Sequence, residues 1–430
     1  LMPIYQPATP EDQAIVLTAF FHGNLPEGFA VNFSWNPWVW EIVPGPAVPP
    51  VWSDAEKVLL DSRLDSVESP GWVTRQRLGP DVAASVADSR TPLRRFHRAL
   101  ARVDSEPCDV LVIGDSISEG LQASSRASRY IRRLLAGLRA SYQPSGVAGG
   151  EGYLPVFYQG ATPTTVFAKT GTPTASTYGL GRRSFFLNAA GQKLAATGLQ
   201  ATGFDVFYTK STGGTFSWSV DGGAPTNVVV NGSTSDGNVV QIRNLAAGAH
   251  SIELGWVSGT AGVDGVMVYN GDEAAGVRLW DGARAGSTAA FFLANTTWMD
   301  CIATIQPDLV LIYLGTNDRG ADNTLPATYR ASMETLIADV RAKCVTRPSI
   351  VLVNPVTTGG QATYPWADYQ QQIRDLVVAD GDLALFDAGD RFGLNAWDAG
   401  ADLLNIDKTH WSDAGHQFAS NALTRFLLPR

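Results

Sequence analysis

The feature that most constrains this chain is a series of short, unbroken apolar runs separated by amphipathic segments. Asp109-Val-Leu-Val-Ile-Gly114, Val277 to Trp280, Leu309 to Leu314, Ile350 to Val353 and Leu383 to Phe386 show no apolar/polar alternation. A strand buried on both faces is the element that reads this way. Between the runs lie helical stretches. An Arg-rich one follows Gly114 to about Ala140, and others span Thr288 to Ile305, Ala327 to Lys343, Trp366 to Ala379 and Asp413 to Leu428. Strands alternating with helices, without hairpin signals, predict an α/β fold with a parallel sheet covered on both faces.

That pattern is interrupted once and preceded by something different. From 145 to 275 the chain turns to short strands with turn signals, such as Phe204 to Thr209, Thr215 to Val220 and His250 to Leu254, with Asp221-Gly222-Gly223 as a tight turn. Seven or eight such strands predict an inserted β-sandwich. Residues 1–105 form an irregular arm in which Trp35, Trp38 and Trp40 sit among five prolines between Pro37 and Pro50. Three tryptophans so close together must pack on something, either a partner or the chain's own domain. A helix is expected from Asp54 to about Val67 and an amphipathic stretch from Leu93 to Val103. The α/β domain is then 106–144 joined to 276–430.

Composition removes several classes. Of 430 residues, 32 are Lys or Arg and 41 Asp or Glu, for a net charge of −9, which argues against non-specific nucleic-acid binding. No apolar run approaches the ~20 residues of a membrane span. No basic segment followed by an apolar core opens the chain, so no intact signal peptide is expected, although Leu1 ahead of Met2 points to a trimmed sequence. Cys108, Cys301 and Cys344 are far apart and no CxxC occurs, so no structural zinc site is expected. They read as free thiols, with a Cys301–Cys344 bridge as the alternative.

The chemistry concentrates where strands end. Gly114-Asp115-Ser116-Ile117-Ser118-Glu119-Gly120 lies at a strand-to-helix junction, the edge at which open parallel sheets bind ligands. Asp281-Gly-Ala-Arg-Ala-Gly286-Ser-Thr and Leu314-Gly315-Thr316-Asn317-Asp318 follow two later strands, and Asp407-Lys-Thr-His410 precedes the last helix. A serine nucleophile needs a base, the base an orienting acid, and the intermediate oxyanion donors. These four segments contain one of each. There is no GxSxG elbow and no HExxH, and no cofactor or metal is implied.

In these blocks the sequence resembles the SGNH, or GDSL-type, hydrolases, over 109–143 and 276–430, about 190 residues. The resemblance implies a flavodoxin-like three-layer fold and ester hydrolysis. It implies Ser116 as nucleophile, His410 as base and Asp407 as its orienting acid. The oxyanion hole would comprise the N–H groups of Ser116 and Gly286 and the amide of Asn317. Asp115, Gly315 and Asp318 would support the loops. His416 follows Asp413 at the same spacing as His410 follows Asp407, and spacing alone does not separate the two pairs. The family pattern prefers His410. A histidine base implies activity that falls on acidification. Glu119 reads as a solvated helix residue.

The GDSISEG form resembles carbohydrate-esterase members, which points to acetyl or short acyl esters on a cell-envelope or other polysaccharide. Trp218, Trp256, Tyr208 and Tyr269 of the insert, and Tyr153 in Gly149-Gly-Glu-Gly-Tyr153, are the candidate sugar contacts there, or they are core. Trp411 either stacks on a sugar or shields His410. Arg77-Leu-Gly-Pro-Asp-Val-Ala-Ala-Ser-Val-Ala87 resembles linkers of phage tail and surface proteins. Location is accordingly expected to be extracellular or virion-associated, with a virion or cell-surface partner for the arm. A homo-oligomer is left open. Alternatives are a glycan-binding structural or adhesion protein with little turnover, and a lipase or acyl esterase.

Overall fold

The structure, a computed structural model, describes residues 29–33, 40–44, 91–159, 165–211, 213–360, 362–393 and 402–429. The chain divides into two compact units, Leu1–Pro80 and Asp81–Arg430. In the first, Phe29–Phe33 and Trp40–Pro44 form an antiparallel hairpin. The expected helix at Asp54 to Val67 and the segment Arg77 to Ala87 lie outside the described residues.

The second unit is built on five parallel strands: β1 (Pro107–Gly114), β2 (Gly276–Ala283), β3 (Leu309–Tyr313), β4 (Ser349–Asn354) and β5 (Leu383–Asp387). Their order is β2-β1-β3-β4-β5, the doubly wound flavodoxin-like arrangement, which reverses direction between β1 and β3. Each strand coincides with one of the apolar runs. Every residue of β3 and β4 is buried, as two-faced coverage requires. The helices Tyr130–Tyr142, Pro326–Lys343, Trp366–Ala379 and Asp413–Leu427 cover the sheet. The stretch expected as one helix from Thr288 to Ile305 is two, Ala289–Leu293 and Met299–Ile305, separated by a turn around Asn295, whose side chain accepts from the Thr297 N–H. The helix Arg94–Leu100, read from sequence as part of the arm, lies in the second unit. Its Phe96 and Leu100 are in the core of the sheet domain.

Between β1 and β2 the chain forms two antiparallel sheets. Leu194, Phe216, Ile252 and Leu254 of one face Phe204, Val206, Val263 and Val266 of the other in a single apolar core. Among the described residues, the 145–275 segment contains eleven strands, more than its turn signals suggested. Gly152–Pro155, Ala168–Thr170, Thr174–Ser176, Ser184–Leu187 and Lys193–Ala201 were not anticipated. The turn at Asp221-Gly222 is as expected, with both residues at positive φ (53° and 70°). The Gly223 N–H closes the turn on the Val220 carbonyl at 2.9 Å. Trp218, Trp256 and Tyr208 pack half-buried against the sheet core, and Tyr269 is buried with its hydroxyl 2.8 Å from Asp205. Tyr269 is thus part of the core, whereas Trp218, Trp256 and Tyr208 pack one side on the core and keep part of their surface exposed.

The insert is pinned to the sheet domain by polar contacts. The Thr297 hydroxyl donates to Asp236 (2.8 Å) and that of Thr304 to the Gly237 carbonyl (2.8 Å). Thr209, with one hydroxyl proton, lies 2.7 Å from Asp236 and 2.8 Å from Asp264. Burial, and then the neighbouring Asp236, raise the pKa of the Asp264 carboxyl well above its ordinary value. All three cysteines are free; the Cys301–Cys344 bridge is not formed. No helix among the described residues is long and apolar enough to cross a membrane.

Candidate active site

The register of the sheet brings three of the four sequence blocks to one level. Gly114 at the end of β1 pairs with Ala283 of β2 on one side and Tyr313 of β3 on the other. Whatever follows these three residues must emerge side by side at the carboxyl edge, next to the topological switch point.

From β1 the chain enters a one-turn helix, Ser116–Glu119, capped by Asp115, whose Oδ1 accepts from the Ile117 N–H at 2.9 Å. Gly120 ends the turn with φ 87°, and a Cβ there would lie 2.4 Å from Cγ of Arg129. Glycine is therefore required twice over, by conformation and by space. The Arg129 guanidinium passing this point donates to the Ser118 carbonyl (2.8 Å) and to Asp281 (2.7 Å). Asp281, at the end of β2, also binds Arg183 of the insert at 2.9 Å. Burial opposes its charge, but the two guanidiniums outweigh it and hold its pKa below the ordinary value.

The segment before the closing helix brings in the fourth block. Asn405 N–H donates to the His410 carbonyl, and Lys408 N–H to that of Asn405, each at 2.8 Å, with Lys408 at φ 57°. This turn folds Asp407 back on His410. Oδ1 of Asp407 accepts the backbone N–H groups of Thr409 and His410 (3.0 Å each), and Oδ2 lies 2.7 Å from His410 Nδ1. Burial works against the Asp407 charge. The His410 and Thr409 bonds outweigh it, so its pKa is lowered. His410 Nε2 lies 2.8 Å from Ser116 Oγ. Because Nδ1 faces a carboxylate, it carries the ring proton, which leaves Nε2 as the acceptor for the serine hydroxyl.

The second and third blocks face the same serine turn. Gly286 is exposed at φ 77° with open space around its Cβ direction; the backbone conformation is what calls for glycine. Asn317 Nδ2 donates to the Ser287 carbonyl at 2.9 Å, which leaves one amide hydrogen free. Gly315 precedes the turn at φ 123°. Asp318 is buried and accepts from the Ala289 N–H at 3.1 Å, and burial pushes its pKa up to about 7 against that bond. Asp115 is fully buried and likewise raised to about 6, opposed by Thr316, Ile117 and the nearby His410.

Other expectations are corrected. Trp411 has no exposed surface. It stacks on Phe392 at 4.8 Å and packs against Tyr130 and Tyr313. It therefore cannot touch a sugar; it walls off the histidine segment. Tyr153 is also buried, in a strand between Phe207 and Trp280, and not at the site rim. Glu119, read as solvated, is fully buried. Its burial next to the Ser116 turn is what sequence reasoning missed. The available signal was the glycine directly after it, since a helix stopped after one turn offers no outer face.

Residues 259–418 match the GDSL-like Lipase/Acylhydrolase family. The match begins downstream of Ser116, within the insert. No curated protein matches the chain. Among solved structures, one titled "Peptidoglycan O-acetylesterase in action" superposes with a TM-score of 0.59 at 17% identity, covering 78% of this chain and 95% of its own. A family two carbohydrate esterase from Cellvibrio japonicus is similar at 13% identity, with 61% of this chain, 96% of that one and a TM-score of 0.24. The acetylxylan esterase Axe2 from Geobacillus stearothermophilus is similar at 19% identity, with 36% and 74% covered and a TM-score of 0.30. Only the first of these superpositions is close enough to speak for the fold. Sheet order, the converging blocks and the match over 259–418 together identify a GDSL-like lipase/acylhydrolase domain within this chain.

Proposed function

We propose that the protein is a serine esterase in which Ser116, His410 and Asp407 form the catalytic relay, acting on acetyl or short acyl esters of a polysaccharide. The observation that carries the reading is the unbroken chain Ser116 Oγ–His410 Nε2 (2.8 Å) and His410 Nδ1–Asp407 Oδ2 (2.7 Å). In the first step Ser116 Oγ attacks the ester carbonyl while Nε2 takes its proton. Asp407 holds the tautomer and stabilises the imidazolium. The oxyanion receives the N–H groups of Ser116 and Gly286 and the free hydrogen of Asn317, each donor worth ~2.7–4 kcal/mol in the barrier. Collapse expels the alcohol, which regains the proton from His410. Water then enters by the same route and releases the acid. No step calls on a metal or cofactor.

The substrate class rests on the GDSISEG resemblance to carbohydrate esterases. The peptidoglycan O-acetylesterase neighbour makes an O-acetylated cell-wall glycan the first polymer to try. Within this reading 145–275 is an inserted β-sandwich that borders the cleft, and the residues of the first unit, Leu1–Pro80, are an arm for a virion or cell-surface partner, at an extracellular or virion-associated location. The arm's role rests on sequence resemblance alone. A pure glycan binder has no use for a base–acid pair, which favours turnover over adhesion. The test is hydrolysis of p-nitrophenyl acetate and release of acetate from O-acetylated cell-wall glycan, both lost in Ser116→Ala. Wild-type protein that shows neither hydrolysis nor labelling of Ser116 by a fluorophosphonate would overturn the esterase reading.

A further inference from the structure

Glu119 has a place that the relay does not account for. It ends the nucleophile turn, is fully buried, and accepts two backbone N–H groups from different parts of the fold. Its Oε2 lies 2.5 Å from the Ala285 N–H, and its Oε1 lies 2.8 Å from the Gln159 N–H of the insert. Ala285 immediately precedes Gly286. On the other side of Gly286, the Ser287 carbonyl accepts from Asn317 Nδ2 (2.9 Å). The loop's entry is fixed as well, by the Arg284 N–H on the Gly114 carbonyl (2.8 Å). Both neighbours of Gly286 are thus tied to other blocks, while Gly286 itself is exposed and its N–H donates to no protein group among the described residues.

We infer that Glu119 is a positioning residue for the oxyanion hole: its carboxylate sets the aim of the Gly286 N–H and couples that aim to the insert through Gln159. The inference rests on the reading of Gly286 as an oxyanion donor. An acceptor-only group is required, because two N–H donors converge on it. Glutamine would turn an NH2 toward one of them and leave a buried donor unpaired. Arg129 and Arg284, which lie close enough to feel the Glu119 charge, supply a compensating positive field. The insert is therefore more than a wall beside the cleft, since the same side chain holds its edge and the hole.

The test combines turnover with amide exchange. In Glu119→Gln, kcat on p-nitrophenyl acetate, normalised to sites titrated with a fluorophosphonate, should fall roughly 10- to 100-fold, the range that a small misplacement of a catalytic group costs. KM should stay nearly constant, and a merely structural loss would lower the titrated fraction but not the rate per site. In the wild type, which needs no variant to fold, deuterium exchange at the Ala285 and Gln159 amides should be slow even though Gln159 is exposed. In Glu119→Gln both should exchange faster. Unchanged kcat per titrated site, or unprotected exchange at these amides in the wild type, overturns the inference. A wild type that is protected at both amides but hydrolyses no ester overturns the esterase reading, and with it the oxyanion role, while leaving the tether itself standing.

Discussion

Two segments of this chain contain the same Asp-x-x-His spacing within ten residues, and the fold gives them opposite tasks. Asp407 and His410 are bound to each other and the ring reaches Ser116. Asp413 and His416 are not bound to each other. Asp413 turns outward to the Ser124 hydroxyl and N–H. His416 is buried, and its Nδ1 accepts the Tyr130 N–H at 3.2 Å, at the start of the helix Tyr130–Tyr142. Burial, then the nearby Arg129, lowers the His416 pKa from 6.5 to about 3. A neutral imidazole capping a helix and the ring proposed as general base differ here only in what lies around the ring. The first pair sits in a turn, where the carboxylate folds back on the ring; in the second, at the start of a helix, Ser124 takes the Asp413 carboxylate and the Tyr130 N–H takes the ring.

The comparison breaks most visibly if the roles are exchanged. His410→Ala should lower kcat by about 10⁴- to 10⁶-fold with little change in melting temperature, whereas comparable inactivation by His416→Ala would refute the assignment. Asp407→Asn should cost about 10⁴-fold in kcat, because an amide facing Nδ1 favours the wrong tautomer; Asp413→Asn, measured alongside, should leave kcat/KM nearly unchanged. His416→Ala should instead destabilise the fold by ~1–3 kcal/mol, read by denaturant titration, because it strands the Tyr130 N–H.

Acid sharpens the contrast. The unfolded chain protonates His416 near 6.5, the folded one only near 3. The unfolded state therefore binds the extra proton in between, and stability falls as pH drops from 6.5 toward 3. His416→Asn keeps an acceptor for Tyr130 and should flatten that part of the stability–pH curve. A curve identical to wild type would show that other groups carry the acid sensitivity. The smallest effect is expected for Asp413→Asn on stability, about 0.5–1 kcal/mol, since its partner Ser124 is exposed and retains water as an alternative.

The parallel sheet was legible because each of its strands is buried on both faces, and double burial leaves an unbroken apolar run that any reader of Val110–Ile113 or Ile350–Val353 meets directly. The four blocks were legible for a related reason: loops at strand ends hold glycine and polar residues where a buried run stops. Strands of the insert such as Ala168–Thr170 and Thr174–Ser176 were not, being short and exposed, with neither alternation nor a continuous run. The identity of the Ser116, Gly286, Asn317, Asp407 and His410 cluster was therefore set by local sequence, together with the order of the elements that carry it. Spacing alone left two Asp-x-x-His pairs open and the motif order favoured Asp407 and His410, whereas tertiary structure alone decided that Trp411 and Tyr153 are walls and not platforms, and that Glu119 is buried between the insert and the Gly286 loop. Each of these depends on what approaches from a distant part of the chain, such as Ala285, 166 residues from Glu119. A side chain's environment at that separation is not encoded in its neighbours along the sequence.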